Sequence, residues 1–473
     1  MISATPFHGK TVLVFGLARS GLKAVEGLVA GGAMVLAADD RPEALKLAAG
    51  LGAKPVDWRK QDFKGLAAVV LSPGVPLTHP KPHGVVDKAR KAKVEIIGDT
   101  EVFARTLQAH TLAPQIIGIT GTNGKSTTTS LLGHVLARCG RDAQVGGNIG
   151  TGVMGLRPPK ANTSYVLELS SYQLDLMHQH KLSAAVLLNI TPDHLDRHGR
   201  MEHYVAAKAR IFRNQGPGDL AVIGVDDAYG QEICTDLVAQ NGRTIVPVSV
   251  KRVLNRGVYV VNGMLYDAMA GRPERVVDLR SAPALLGAHN WQNAAVAYAV
   301  ARGLGHASRT IAKALLSFQG LAHRMEVLPE IEGVRFVNDS KATNLDAARQ
   351  ALSALDPIFW IAGGQAKGDD FTEIADILPR VRTAYLIGRD GAKIAEAIKA
   401  HTQVQVLETM AEAVRAAFAD AKAAIAPLSS APTVLLSPAC ASFDQYRDFE
   451  HRGDDFRAQV AALTNSQTEV AQG

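Results

Sequence analysis

Short apolar runs recur along this chain, and each is followed by a turn rich in glycine or polar residues. The first two runs are Lys10–Phe15 and Met34–Ala38, and a segment rich in alanine, valine and leucine separates them. Runs of this kind are typical of strands buried on both faces of a parallel sheet. Their alternation with helical segments predicts an α/β protein whose ligands bind at the carboxyl ends of the strands.

The first strand–helix–strand unit has the outline of a dinucleotide-binding fold. A turn from Gly16 to Gly21 follows the first strand, and Asp39 follows the second. The middle glycine of that fingerprint is replaced by Ala18, so the turn indicates Rossmann-like packing more than bound NAD. A further strand, 66–71, leads into the loop Ser72-Pro73-Gly74, and the pattern breaks near residue 110, where we expect a domain boundary.

A phosphate-binding loop is predicted directly after the apolar run Ile116–Ile119. The turn Gly121–Gly124 leads into Lys125-Ser126, which starts a helical segment. Backbone N–H groups of such a turn and the helix N-terminus attract phosphate, the lysine reaches the outer phosphates, and the hydroxyl can join a Mg²⁺ shell. Ile119 stands where the full spacing has its first glycine, so the match is to the shorter form G-x-x-G-K-S. A chance glycine turn is the alternative, but the order of elements favours a nucleoside triphosphate.

Two strands after this loop deliver titratable side chains. The predicted strand 165–171 carries Glu168 at its carboxyl end, where the carboxylate is placed either to hold Mg²⁺ or to face solvent. The run Ala184–Asn189 leads to His194, which lies between two aspartates; a metal ligand, a general base and a helix-start residue all remain open. By pattern alone, Lys208 on the predicted helix 201–212 is a surface lysine.

The C-terminal third repeats the arrangement of strand and polar loop. Runs beginning at Phe336, Ile358 and Thr433 each end in a polar loop, which predicts one ligand-binding edge of a parallel sheet. Earlier, Asn290 and Asn293 share a face of an alanine-rich helix, so their amides can read an adenine or cap the helix.

Composition limits the class of protein. The chain has 473 residues, 47% apolar and 20% charged, which is the size of about three globular domains. The net charge of +6 fits anionic ligands, whereas basic residues that are dispersed among 5% aromatics argue against nucleic acid. Three isolated cysteines fit a reducing compartment. No apolar run reaches the ~20 residues of a membrane span, and the N-terminus has no signal-peptide pattern, so we expect a cytoplasmic protein.

Nine motifs together resemble those of the Mur ligases, in the order in which that family has them. They are GITGTNGKST, GGNIG, LELSSYQL, TPDHLDRH, HNWQN, GLAHRME, NDSKATN, GGQAKGDDF and LLSPACASFDQYRDFEHRG. The resemblance covers nearly the whole chain and implies three domains. These are a Rossmann-like domain for UDP over residues 1–110, a central P-loop ATPase domain with a mostly parallel sheet over 111–321, and a Rossmann-like, amino-acid-binding domain over 322–473.

The resemblance is greatest to members that join D-glutamate to UDP-N-acetylmuramoyl-L-alanine, at the expense of ATP and through an acyl phosphate. It implies two Mg²⁺ sites, one formed by Ser126 and Glu168 and the other by His194 and a carbamylated Lys208. The implied catalytic residues are Lys125, Glu168, His194 and Lys208. The implied ATP-binding residues are Gly121, Thr122, Asn123, Gly124, Lys125, Ser126, Thr127, Asn290, Asn293, Arg324 and Asp339. The implied substrate-binding residues are Arg19, Ser20, Asp39, Arg41, Ser72, Pro73, Gly74, Asn148, Gln173, Lys341, Thr343, Lys367, Ser442, Phe443 and Phe449. We expect a monomer.

Three other functions are compatible with parts of this pattern. A sister ligase would add L-alanine, a diamino acid or a polyglutamate tail, although the N-terminal domain argues against a folylpolyglutamate synthase. A nucleotide-binding regulatory protein would have no ligase activity, and an NAD dehydrogenase would change nicotinamide absorbance. Product formation with different amino acids separates all of them.

Overall fold

The computed structural model describes residues 1–285, 287–366, 368, 370–425 and 430–470. The chain forms two compact units. One comprises Met1–Asp278 and Gln292–Leu315, and the other comprises Leu279–Trp291 and Leu316–Gly473. No helix in the described ranges has the length and apolar character needed to cross a bilayer.

The first sheet of the first unit has five parallel strands in the order β3-β2-β1-β4-β5. The order reverses at β1 and β4, which creates a crevice at their carboxyl ends. The strands are β1 (Thr11–Phe15), β2 (Met34–Ala38), β3 (Lys54–Pro55), β4 (Ala68–Leu71) and β5 (Ile96–Ile97). The helices are α1 (Arg19–Ala30), α2 (Pro42–Gly50), α3 (Gly84–Lys91) and α4 (Asp99–Gln108).

The second sheet of this unit has nine strands in the order β14-β13-β12-β11-β10-β9-β6-β8-β7. The strands are β6 (Gln115–Thr120), β7 (Asp142–Gly147), β8 (Thr163–Glu168), β9 (Ala184–Leu187), β10 (Leu220–Gly224), β11 (Thr244–Ser249), β12 (Val258–Val261), β13 (Met264–Asp267) and β14 (Glu274–Asp278). Strands β6 to β12 are parallel, and β13 and β14 add an antiparallel edge. The helices are α5 (Lys125–Arg138), α6 (Ser171–Asp175), α7 (Leu195–His198), α8 (Met201–Ala209) and α9 (Ala228–Gln240). Two more helices belong mainly to this unit: α10 (Ala288–Gly303), whose first turn up to Trp291 is part of the second unit, and α11 (Ser308–Leu316).

The second unit contains a six-stranded sheet in the order β15-β16-β20-β17-β18-β19, in which β15 is antiparallel to its neighbour. The strands are β15 (Glu326–Ile331), β16 (Val334–Asn338), β17 (Ile358–Gly363), β18 (Val381–Ile387), β19 (Gln403–Val406) and β20 (Thr433–Leu436). The helices are α12 (Leu345–Ala354), α13 (Gly391–Ile398), α14 (Met410–Ala423) and α15 (Phe449–Val470). Since β16, β20 and β17 are adjacent and parallel, their polar loops emerge at one edge.

The α/β class and the mostly parallel sheets confirm the prediction from hydrophobic pattern. Three local predictions were wrong. The pattern Val145-Gly146-Gly147-Asn148-Ile149-Gly150 predicts a glycine turn, but its first three residues end strand β7. The strand predicted over 165–171 stops at Glu168, and the helix predicted over 201–212 ends as an α-helix at Ala209 and is followed by a 3₁₀ turn. The domain boundaries near residues 110 and 321 stay predictions.

Candidate active site

The phosphate loop connects β6 to α5 through two glycines with positive φ. Gly121 has φ of +156° and Gly124 has φ of +83°, and Gly124 caps the N-terminus of α5. A Cβ at Gly121 would lie 2.8 Å from the Cβ of Leu188, and one at Gly124 would collide with the side-chain oxygen of Asn293. Glycine is therefore required at both positions, since an added side chain would meet both strain and a neighbour.

Asn189, just beyond β9, braces this loop from the next strand. Its Oδ1 accepts from the backbone N–H of Asn123 at 2.9 Å, and its Nδ2 donates to the Asn123 carbonyl at 3.2 Å. Sequence reasoning missed this role. The available signal was an amide at the end of an apolar strand beside the loop strand, as β9 pairs with β6.

Two lysines converge on one carbonyl of the loop. The Nζ of Lys125 donates to the oxygens of Gly121 and Thr122, at 3.0 and 2.7 Å, and the Nζ of Lys208 donates to the Gly121 oxygen at 2.7 Å. Lys208 is only 2% exposed, which corrects its assignment as a surface lysine. Burial, together with the positive charge of Lys125, lowers the pKa of Lys208 well below its ordinary value, against the opposing effect of Asp193 and Glu168. The buried amine is thus biased toward its neutral, nucleophilic form.

Glu168 lies at the end of β8, in register with Ile119 of the loop strand. Its side chain is buried, and Oε1 accepts from the Nδ2 of Asn148 at 3.0 Å. Its Oε2 is buried with no hydrogen-bond partner among the described residues. A buried carboxylate oxygen without a partner is costly unless a cation or another donor satisfies it.

His194 begins the single-turn helix α7 in a left-handed conformation, with φ of +54°. Its ring centroid lies 5.1 Å from that of Tyr172, and its side chain is half exposed. Partial burial lowers the pKa of His194, and the positive charge of Lys125 lowers it further against the opposing effect of Asp193. The imidazole therefore favours the neutral form, which is the form that binds metals.

Tyr204 is a second residue that the sequence did not reveal. Its hydroxyl lies 3.0 Å from the hydroxyl of Thr122, and its ring lies 4.6 Å from the Nζ of Lys208. The Thr122 hydroxyl also bonds the backbone of Thr191, so Tyr204 connects the phosphate loop to the segment that leads to His194.

Asn148 and Gln173 differ in their contacts. The N–H of Asn148 donates to the Glu168 carbonyl at 2.9 Å, so the two residues are held together through backbone and side chain. Gln173 is buried, and its Oε1 accepts from the backbone N–H of Ser170 at 2.9 Å in a capping box at the start of α6. The Gln173 oxygen therefore has a structural partner already.

The residues expected to hold uridine lie at the crevice of the first sheet. The carboxylate of Asp39 accepts from the N–H of Leu17 at 2.6 Å and from the side chain of Arg41. Burial would raise the pKa of Asp39, but these bonds to Arg41 and Leu17 hold it below its ordinary value. Arg19 donates to the carbonyl of Gly150, Ser20 lies in the first turn of α1, and Ser72 follows β4.

In the second unit, Asp339 follows β16 and is buried. Its oxygens accept from the N–H of Met325 at 3.1 Å and from the hydroxyl of Ser437 at 3.0 Å. Burial raises the pKa of Asp339 to about 7, although the charge of Arg324 and these two bonds oppose the rise. Asn290, buried in the first turn of α10, follows His289, whose pKa burial and the Arg324 charge lower to about 4.

Of the residues expected to hold D-glutamate, four lie on loops of the same unit, namely Lys341, Thr343, Ser442 and Phe443, and Phe449 begins α15. The Nζ of Lys341 lies 3.8 Å from the centre of the Phe449 ring, and the N–H of Thr343 donates to the Lys341 carbonyl. Ser442 is buried and Phe443 is 72% exposed, both just after β20. Lys367 lies outside the described residues.

Comparison with known proteins gives a consistent assignment. Residues 119–301 match the Mur ligase middle domain, and residues 323–440 match the Mur ligase glutamate ligase domain. A protein of Phenylobacterium zucineum (strain HLK1) named UDP-N-acetylmuramoylalanine–D-glutamate ligase is 53% identical over 473 residues, which is 100% of both chains. A protein of that name from Agrobacterium fabrum (strain C58 / ATCC 33970) is 46% identical, covering 98% of this chain and 97% of its own.

The fold is also found in solved structures of low sequence identity. A UDP-N-acetylmuramate–alanine ligase of Thermotoga maritima superimposes with a TM-score of 0.57 at 18% identity, covering 96% of this chain and 99% of its own. A pseudomurein peptide ligase type C of Methanothermus fervidus gives 0.54 at 16% identity, covering 96% and 100%. With the phosphate loop, the buried Glu168 and the matched domains in place, the chain belongs to the Mur ligase family.

Proposed function

We propose that this protein is an ATP-dependent ligase that joins D-glutamate to UDP-N-acetylmuramoyl-L-alanine in the synthesis of peptidoglycan precursors. The observation that carries the proposal is the buried Oε2 of Glu168, which has no hydrogen-bond partner among the described residues. Glu168 ends strand β8, which pairs with β6, the strand that leads into the phosphate loop. The name shared by full-length relatives supports the choice of substrates. Since the reaction consumes ATP and a UDP-linked precursor, we place it in the cytoplasm.

The reaction consists of two substitutions. An oxygen of the alanine carboxylate attacks the γ-phosphorus of ATP, and the bond from this phosphorus to the bridging oxygen breaks. The products are ADP and an acyl phosphate. The amine nitrogen of D-glutamate then attacks the acyl carbon, the bond to the phosphate oxygen breaks, and the nitrogen loses a proton. The protein mainly has to align the reactants and neutralise charge, which is how phosphoryl transfer is generally catalysed.

The residues at the loop suit this task. The Nζ of Lys125, which now donates to loop carbonyls, can turn to the β- and γ-phosphates, and the N-terminus of α5 would add partial positive charge beside the same phosphates. Mg²⁺, when bound, supplies positive charge to the phosphate oxygens. Glu168 and Ser126 would hold it, because a buried, unpartnered carboxylate oxygen and a hydroxyl are oxygen ligands of the kind that Mg²⁺ prefers.

A second Mg²⁺ would require a change in Lys208. As an amine, Lys208 offers Mg²⁺ no oxygen ligand, whereas its lowered pKa makes the Nζ a nucleophile. Its attack on CO₂ forms a nitrogen–carbon bond and releases one proton, which converts the amine into a carbamate with two oxygens. This carbamate and His194 would then hold the second ion.

The other implied residues complete the proposal. Asn290, Asn293, Arg324 and Asp339 would contact ATP. The crevice residues Arg19, Ser20, Asp39, Arg41 and the Ser72–Gly74 loop would hold the UDP group, with Asn148 and Gln173 near the muramoyl-alanine part. Lys341, Thr343, Lys367, Ser442, Phe443 and Phe449 would hold D-glutamate, whose two carboxylates suit two lysines.

An amino-acid panel tests the proposal. Purified protein is incubated with ATP, Mg²⁺ and either UDP-N-acetylmuramoyl-L-alanine or UDP-N-acetylmuramate, and ADP release and the nucleotide product are measured with D-glutamate, L-alanine or meso-diaminopimelate. We expect an amide product with D-glutamate alone. The proposal would be refuted, and a sister reaction assigned, if D-glutamate gave no turnover while one of two other reactions proceeded. These are the reaction of UDP-N-acetylmuramate with L-alanine and that of UDP-N-acetylmuramoyl-L-alanine with meso-diaminopimelate.

A further inference from the structure

The Ser72–Gly74 loop, which carries implied substrate residues, is hydrogen-bonded to helix α7, which follows the implied metal ligand His194. Nη1 of Arg197 donates to the carbonyl of Gly74 at 3.1 Å, and Nη2 donates to that of Pro73 at 3.5 Å. The loops also meet at a second point, because a Cβ at Gly199 would lie 2.7 Å from Nε2 of His79. The Ser72–Gly74 loop and the chain that follows it as far as His79 therefore contact the segment that begins at His194.

The guanidinium of Arg197 also packs on an aromatic ring shared with two histidines. Its Cζ lies 4.7 Å from the centroid of Tyr172. The same ring lies 5.1 Å from His194 and is stacked on His198 at 5.4 Å. His198 is fixed in turn, because its Nε2 lies 2.9 Å from the hydroxyl of Ser171. Tyr172 is thus the common packing partner of the arginine and of the implied metal ligand.

The backbone joins Arg197 to His194 within a single helical turn. The N–H groups of Arg197 and His198 donate to the His194 carbonyl at 3.0 and 3.1 Å. One isolated helical turn is unstable in water, and a left-handed φ at a histidine persists only where its surroundings hold it. The contacts of the Arg197 side chain supply such a hold from outside the turn.

We propose that Arg197 is a positioning residue that couples binding of the UDP substrate at the Ser72–Gly74 loop to metal binding at His194. An arginine suits this role because its planar fork bonds two carbonyls while its face lies on an aromatic ring. The two loop carbonyls already accept from the guanidinium, so substrate that binds the loop would fix their positions and hold the turn that presents His194. The inference rests on the proposed function for the identity of the substrate.

Binding without turnover tests the coupling. Calorimetry measures the affinity of UDP-N-acetylmuramoyl-L-alanine with and without Mn²⁺, in the absence of ATP. In the unmodified sequence we expect Mn²⁺ to tighten binding by about fivefold or more. In Arg197→Ala we expect substrate affinity to fall about tenfold, and the effect of Mn²⁺ to disappear. Arg197→Lys should keep part of the affinity but little of the coupling, since it lacks the planar fork.

Matched variants separate this role from a structural one. Arg200 lies three positions further along and contacts Glu202 and His203, so Arg200→Ala should leave both affinity and coupling unchanged. Tyr172→Phe keeps the ring and should keep the coupling, whereas Tyr172→Leu should lose it. Melting temperatures of all variants show whether the fold is retained.

Two results would overturn the proposed role of Arg197. Coupling that survives in Arg197→Ala, including the case in which affinity alone falls, overturns the proposal. The absence of any Mn²⁺ effect in the unmodified sequence overturns it as well. Failure of the proposed function has a different signature, namely intact coupling of substrate and Mn²⁺ without ADP release in the presence of D-glutamate.

Discussion

Replacing Asp339 by asparagine should alter the pH dependence of stability in the second unit. Asp339 is 6% exposed, and burial raises its pKa from 3.8 to about 7. The folded state therefore keeps a proton that the unfolded chain has already released between about pH 4 and pH 7. Since the folded state binds more protons in that window, the free energy of unfolding falls as the pH rises.

The size of the effect follows from the shift. A change from 3.8 to about 7 corresponds to about 4 kcal/mol, because each unit of pKa is worth about 1.4 kcal/mol. Asparagine does not titrate, and like the protonated carboxyl it offers one carbonyl acceptor and one donor group toward Met325 and Ser437. A difference in these hydrogen bonds costs about 1 kcal/mol or less. The stability of Asp339→Asn should thus lie within about 1 kcal/mol of the parent at pH 4 and be about 3 kcal/mol higher than the parent at pH 8.

Urea denaturation between pH 4 and pH 8, without nucleotide, measures the difference. Trp360 on β17 is a suitable reporter because it is fully buried and its Nε1 donates to the Ser437 carbonyl at 2.8 Å. Trp58 and Trp291 are replaced by phenylalanine in parent and variant alike. Asp346→Asn, at an exposed site on α12, is the control and should change stability by less than about 0.5 kcal/mol. A stability difference for Asp339→Asn that is constant across the pH range would refute the burial argument.

Three further predictions concern the phosphate loop. Lys208→Ala should lose most activity, with partial recovery on adding short carboxylic acids, and full activity in this variant would remove the carbamate role. Glu168→Gln should need a higher Mg²⁺ concentration for half-maximal activity, and its kcat should fall about 10²-fold. Without metal, the same variant should melt at a higher temperature than the parent, because a buried charge is gone. A lower melting temperature would contradict the cation role. Lys125→Ala should abolish ADP release while the affinity for UDP-N-acetylmuramoyl-L-alanine stays unchanged by calorimetry, and product formation that survives this change would exclude the ATP mechanism.

The parts of the fold that were predictable are those that depend on local pattern. The buried strands β1, β2 and β20 were located within a residue or less because apolar runs between turns have few other conformations. Strand β7 was misread, since Gly146 and Gly147 weaken the strand pattern. A Cβ at Gly147 would collide with the carbonyl of Glu168, so this glycine serves close strand packing instead of a turn.

The candidate site was predictable only where a motif names its own chemistry. The spacing of Gly121, Gly124 and Lys125 marks a phosphate loop before any fold is known. Lys208 and Tyr204 lie on α8, where four residues of separation bring them onto one face, but the burial of that face depends on tertiary packing against the loop. The local sequence around Lys208 contains no sign of that packing, so this buried lysine was predicted to be exposed.

The short form of the phosphate loop is held by side chains from outside the motif. In this conformation the Asn123 N–H is bonded to Asn189, and the carbonyl of Gly121 accepts from both lysines. Phosphate binding therefore has to draw Lys125 from these carbonyls, while Lys208 and Asn189 keep the turn in place. Because Lys208 also belongs to the implied metal site, its conversion to a carbamate would create oxygen ligands and leave a single Nζ–H to donate to the Gly121 carbonyl. The phosphate loop and the implied second metal site thus share the buried side chain of Lys208, and a substitution of Lys208 affects both.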